Sequence, residues 1–235
     1  MNKLIRKFRK LISKLNPTLE RLPNTDIVRN HKLSGVALNY LLEAKNFETV
    51  LDIGSGSGAH ADEFEKYGKD VTRFDFGKSR AFTDENKVLI GDFVNYQFQE
   101  KYNLVWASHV LEHTVDTHAF LSKIREVVSP GGCVAITVPP AKPEFVGGHV
   151  TLWTPALLLY RLVLAGFDCS NAQVFVYGYN ISVILTATEA EVNLAELAWD
   201  FNDIERLKEW LPGDLKARMD GSRYGRVFKD ADNFF

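Results

Sequence analysis

Val50-Leu51-Asp52-Ile53-Gly54-Ser55-Gly56-Ser57-Gly58-Ala59 is an apolar run that ends in an acid, followed by glycines at alternate positions and then by a helical pattern. That order reads as a strand, a tight turn and the start of a helix. Glycine suits such a turn because it accepts positive φ and because no Cβ stands between the backbone and an approaching ligand. The stretch is therefore read as a nucleotide site. Gly54, Gly56 and Ala59 also satisfy the loose dinucleotide-binding pattern. Asp52 argues against that ligand: a carboxylate at the strand tip opposes the attraction of a helix N-terminus for a pyrophosphate. A ligand that carries positive charge fits better.

Further motifs follow in order. Asp75 closes the strand-like run Val71-Thr72-Arg73-Phe74-Asp75, nineteen residues past Gly56, where an acid can accept both hydroxyls of a ribose. Gly91-Asp92-Phe93 ends a third apolar run, and Tyr102-Asn103-Leu104-Val105-Trp106-Ala107-Ser108-His109 makes a fourth, running on into Val110-Leu111-Glu112-His113. Ser129-Pro130-Gly131-Gly132 precedes a fifth. In this order and spacing, over about residues 47–188, the chain resembles the class I S-adenosylmethionine (SAM)-dependent methyltransferases, in the small-molecule branch with the Leu-Glu-His signature. The resemblance implies SAM as cofactor, whose ammonium and sulfonium suit Asp52. It implies Asp52, Gly54, Ser55, Gly56 and Gly58 around the methionine end and Asp75 on the ribose. Asp92 would sit near the exocyclic amine of adenine and Phe93 against its face. Phe76, Ser108 and His109 complete the implied cofactor-binding set.

The implied fold is α/β: a three-layer sandwich around a Rossmann-like, seven-stranded, mostly parallel sheet with a C-terminal antiparallel hairpin. Hydrophobic patterning agrees, with strands expected at residues 48–53, 70–75, 87–91, 102–108 and 132–138. Helical or mixed segments are expected at 58–67, 93–100 and 116–128, and the short connection between Asp75 and Lys87 leaves room for a vestigial crossover only. A helix at 32–46 leads into the first strand. A helix at 155–165 precedes strands at 168–177 and 180–188, joined by Tyr177-Gly178-Tyr179-Asn180, and residues 190–211 read as an amphipathic helix. The expected division is residues 1–46, a methyltransferase domain at 47–188, and a C-terminal helix and tail at 189–235.

Methyl transfer is a displacement at carbon, so alignment of two bound molecules carries most of it. A hydroxyl acceptor benefits from a general base, and histidine titrates in the useful range. His109 follows the fourth strand, at the carboxyl edge where open α/β sheets bind ligands. His149 lies in the long Pro- and Gly-rich connection 139–155, too long for a simple connector and read as a lid or acceptor loop. His149 and His109 are the candidate bases; His113 and Glu112 are read as structural, fixing the loop and facing a helix dipole. Thr154-Pro155 has the form of an N-cap followed by a first helical residue.

The whole chain has net charge −2, which supplies no field for nucleic acid, and no nucleic-acid partner is expected. The average hides an asymmetry. Residues 1–17 hold six bases and no acid, whereas the remaining 22 bases face 30 acids. Residues 3–15 form a basic amphipathic pattern with two readings: packing on the domain or a second subunit, or contact with an anionic membrane surface. Cys133 and Cys169 lack metal-ligand spacing, so neither a disulfide framework nor a metal is expected. No apolar run reaches the roughly 18 residues of a spanning helix, and the expected location is cytoplasmic, with or without a peripheral inner-membrane contact. The acceptor expected is a hydroxyl on a small molecule or a surface-glycan precursor. A lipid or quinone hydroxyl and a non-catalytic SAM-binding assembly protein are the alternatives.

Overall fold

A computed structural model describes residues 25–83, 87–200 and 202–212 of the chain. The basic segment 3–15 and the tail 213–235 lie outside the described residues, and with them the question of what residues 3–15 contact. In chain order the main elements are α1 (Thr25–Asn30), α2 (Gly35–Ala44), β1 (Thr49–Ile53), α3 (Ala59–Lys66), β2 (Asp70–Asp75), β3 (Val88–Ile90) and β4 (Tyr102–Ser108). They continue with α4 (Thr117–Val127), β5 (Val128–Val138), α5 (Pro155–Leu164), β6 (Gln173–Tyr177), β7 (Asn180–Thr186) and α6 (Asp203–Leu207).

The strands form one seven-stranded sheet in the order β3-β2-β1-β4-β5-β7-β6. β1 to β5 pair in parallel, while β7 runs antiparallel to both β5 and β6. This is the Rossmann-like sandwich expected. The period of two in a strand sorts its side chains to opposite faces. On β1, Val50 joins Leu104, Trp106 and Ala135 under α1, α2 and Phe64 of α3. Leu51 and Ile53 join Val105, Ala107, Val134 and Ile136 under α4 and α5. Two apolar cores thus flank the sheet, and the strand order reverses between β1 and β4, where such sheets open a crevice at their carboxyl ends.

Several expectations are corrected. The helix expected at 32–46 is present but shorter, as α2 over Gly35–Ala44, because Ser34, in the left-handed region at φ 60°, separates it from the additional helix α1. The Ser-Pro-Gly-Gly turn is absorbed into β5, where the register with β4 jumps from Tyr102↔Val128 to Leu104↔Cys133, so residues 129–132 bulge out of the ladder. Residues 93–100 contain no helix, because their aromatics turn inward as described below. Residues 190–200 and 202–211 are not one helix but a 3₁₀ turn at Leu194–Glu196, the short α6 and a 3₁₀ turn at Lys208–Trp210. Trp199 at φ 58° interrupts the helical path, and buried Asp203 accepts the N–H groups of Ala198, Trp199 and Asp200, which a continuous helix would use internally. Cys133 and Cys169 are free and buried, and burial pushes the Cys133 thiol up to about 11.

Candidate active site

The glycine turn connects the tip of β1 to α3. Gly54 and Gly58 both lie in the left-handed region, at φ 71° and 77°. A Cβ on Gly54 would fall 2.3 Å from Val110 Cγ2, and one on Gly58 would fall 2.3 Å from Arg73 Nη1, so a side chain at either position is strained by φ and must displace a neighbour. The first contact also shows that the turn abuts the segment after β4. Gly54 and Ser55 donate their N–H groups to Phe74 O of β2, at 2.7 and 3.1 Å. Ser55 Oγ is buried without a hydrogen-bond partner.

Asp75 is the hinge between this turn and the next. One carboxylate oxygen accepts Gly56 N–H at 2.9 Å and the other accepts Gly77 N–H at 2.8 Å. Each oxygen keeps a second lone pair, which is the capacity a vicinal diol needs. Asp52 is buried, and its Oδ2 has no hydrogen-bond partner. Burial raises its carboxyl to about 7, against the opposing pull of the Arg73 guanidinium. Arg73 is itself buried and donates from Nη2 to Asp62 at 2.7 Å and Glu65 at 2.8 Å, both on α3. Its charge is therefore spent largely on α3. A buried acid with one unsatisfied oxygen beside a glycine-rich turn fits a cationic, ribose-bearing ligand, as SAM is.

The residues expected around adenine divide. Asp92 is exposed and caps its own turn, accepting Val94 N–H at 3.1 Å and Asn95 Nδ2 at 2.6 Å. Phe93 is corrected. Its ring is 6% exposed and packs with Phe120 at 4.8 Å, Phe98 at 5.7 Å and Phe74 at 5.9 Å between centroids, so its faces belong to the core. The exposed aromatic at this edge is Phe76, 58% accessible, with Lys78 Nζ 5.0 Å above its ring.

Beyond β4 the side chains form a connected polar chain. Ser108 Oγ bonds Ser34 Oγ. Asn180 Nδ2 donates to Lys32 O and Tyr177 O, which fixes its amide so that Oδ1 accepts from Ser34 N and from His109 Nε2, both at 3.0 Å. His109 Nδ1 faces Glu112 Oε1 at 3.2 Å, and its ring stacks on Tyr179. His109, at φ 56°, thus has an oxygen beside each ring nitrogen, both occupied within the protein. His113 Nδ1 donates to Gly148 O at 2.7 Å, and its ring meets His149 edge-on at 5.1 Å. The sequence reading treated Glu112 as a helix-start residue; it is 1% exposed and sits at the centre of the three histidines. Its spacing to His109 and His113 was visible, but not its contact with the loop that carries His149.

A family model described as a methyltransferase domain matches residues 6–171. A ubiquinone biosynthesis O-methyltransferase of Aliivibrio fischeri (strain MJ11) is 30% identical over 118 residues, 44% of this chain and 50% of that protein. A demethylmenaquinone methyltransferase of Corynebacterium kroppenstedtii is 30% identical over 140 residues, 58% of this chain and 60% of that protein. The chain thus spans about half the length of the curated relatives it matches. Among solved structures, Burkholderia thailandensis 1,6-didemethyltoxoflavin-N1-methyltransferase, with its namesake ligand and S-adenosylhomocysteine (SAH) bound, superposes with TM-score 0.54 at 17% identity, covering 71% of this chain and 80% of that one. A Haloferax volcanii putative methyltransferase in complex with the Trm112 activator gives TM-score 0.54 at 18% identity, covering 70% and 92%. At such identities these two likenesses bear on the fold alone. With the family match covering most of the chain, this protein belongs to the class I methyltransferases, the family whose methyl donor is S-adenosylmethionine.

Proposed function

We propose that this chain transfers a methyl group from SAM to a hydroxyl of a small-molecule acceptor. Asp52, Gly54, Ser55, Gly56 and Gly58 hold the methionine end, Asp75 holds the ribose, Phe76 and Asp92 border the adenine, and Ser108 and His109 line the wall beyond β4. SAM supplies a methyl carbon made electrophilic by its sulfonium. The protein's work is to align the acceptor and manage its proton. A single observation carries the choice of a hydroxyl: Glu112, His113 and His149 converge beside the segment that abuts the glycine turn, a set suited to removing a proton that a neutral amine acceptor would not need to lose first. His149 is the group free to take it. His109 is a positioning residue, holding Glu112 in place through its Nδ1.

Two acceptor classes are carried. The sugar hydroxyl of a surface-glycan precursor follows from the sequence reading. The hydroxyl of a quinone precursor is supported by the printed name of one relative, ubiquinone biosynthesis O-methyltransferase; demethylmenaquinone methyltransferase supports the quinone class but names no oxygen acceptor. Assay of both classes with radiolabelled methyl donor separates them. In the assay that turns over, His149→Ala is expected to lower kcat by roughly 100-fold while the dissociation constant for SAH stays within about twofold. Full activity in that variant would remove His149 from the reaction.

A further inference from the structure

No metal is expected from cysteine spacing, yet the structure gathers a donor set that sequence spacing does not reveal. One donor atom each from Glu112, His113 and His149 lies within 4.8 Å of the others. The tautomer of His113 is already arranged for a cation. Gly148 O can only accept, so His113 Nδ1 carries the hydrogen and Nε2 presents its lone pair, 3.9 Å from Glu112 Oε1. A histidine that donates one nitrogen to a backbone carbonyl and offers the other is the arrangement metal-ligating imidazoles adopt. Glu112 is 1% exposed, and its Oε2 has no hydrogen-bond partner. A buried acid with an unsatisfied oxygen is costly unless something charged satisfies it.

The scaffold holds the ligands in place from both sides. Glu112 O accepts Val150 N–H at 2.9 Å and Thr151 N–H at 3.2 Å, which ties the loop bearing His149 to the 3₁₀ turn Leu111–His113. Behind the carboxylate, His109 is fixed by Asn180, itself anchored to Lys32 and Tyr177. On the other side His113 is exposed, leaving room for ligands that the protein does not supply.

We propose that Glu112, His113 and His149 bind one divalent transition-metal ion, with at least one coordination position open to the acceptor. Two imidazoles and one carboxylate suit Zn²⁺, Fe²⁺, Co²⁺ or Mn²⁺ and not the all-oxygen preference of Mg²⁺ or Ca²⁺. Bonds of about 2.0–2.2 Å require the donors to close by about 1 Å, a shift that the exposed His113 and the loop-borne His149 make by small χ rotations. Without the ion His149 takes the proton as described above; with the ion bound His149 is a ligand and the ion takes over that task. The acceptor hydroxyl then binds the ion and gives its proton to solvent, its pKa lowered by the cation. That use of the ion rests on the methyltransferase reading; binding of the ion does not.

The test is titration of Co²⁺ into the full chain after chelator treatment, followed by visible d–d absorption and calorimetry, with SAH titrated separately. Saturation at one ion per chain with ligand-field bands is expected. His113→Ala and His149→Ala are each expected to weaken Co²⁺ at least about tenfold without altering SAH affinity. Both residues are outside the core, so their variants are expected to keep the wild-type circular dichroism, whereas Glu112 is too buried to serve. A wild-type chain that folds and binds SAH but gives no bands overturns the site, as do bands that persist at full affinity in both variants. Co²⁺ binding that depends on both histidines, in a chain that binds neither SAM nor SAH, would keep the metal site and remove the methyltransferase reading.

Discussion

Burial raises the Asp52 carboxyl to about 7 from an ordinary 3.8. Between about pH 4 and pH 7 the folded protein therefore holds a proton that the unfolded chain has released, and this group's contribution to stability falls as pH rises through that window. A cation bound beside Asp52 reverses the preference and drives the proton off. SAM affinity is accordingly expected to rise roughly tenfold from about pH 6 to about pH 8, and Asp52→Asn to flatten that rise. Calorimetry of both chains at each pH measures it, and parallel slopes would show that Asp52 does not titrate against the ligand. Asp52 itself was legible in the sequence as the acid that turns a generic glycine turn toward a positive ligand. Its partner Arg73 was not. Arg73 faces Asp62 and Glu65 only because β2 lies beside α3, a contact that no local pattern encodes. The packing of Phe93 was hidden for the same reason: its neighbours Phe74, Phe98 and Phe120 converge on it from other parts of the chain.

Elements with strong local chemistry were read closely. Thr154 caps α5 by accepting Leu157 N–H at 3.1 Å, with Pro155 as the first helical residue. Thr154→Ala is expected to cost about 1 kcal/mol in urea denaturation and Thr154→Ser to restore most of it. An unchanged midpoint in the alanine variant would mean that the cap bond is matched by water. Central strands were legible to within a residue or two because strands buried on both faces read as apolar runs, parallel β4 and antiparallel β7 among them. Segments held by distant partners were misread. The apolar spacing of residues 190–211 is helical, but those side chains pack against the core from a turn-rich path: Leu197, Leu207 and Leu211 are buried from three separate stretches. Where one buried carboxylate, Asp203, satisfies three backbone N–H groups at once, periodicity no longer reports the backbone.

At the scale of the whole molecule, the sheet brings the parts of the site together from distant stretches of the chain. The glycine turn leaves β1, Asp75 ends β2, His109 follows β4 and Asn180 opens β7, and all four lie at one edge because their strands are neighbours or nearly so in the order β3-β2-β1-β4-β5-β7-β6. The connection between β5 and α5 carries His149 back over the turn after β4. No helix among the described residues is long and apolar enough to cross a membrane. The central claim is that this edge is a SAM site, and calorimetric titration of the purified chain with SAH tests it most directly. One saturable site per chain is expected, its affinity weakened at least about tenfold by Asp75→Ala through loss of the ribose contact. Absence of any binding heat or thermal stabilisation with SAH or SAM, in a chain that is folded, would contradict the account.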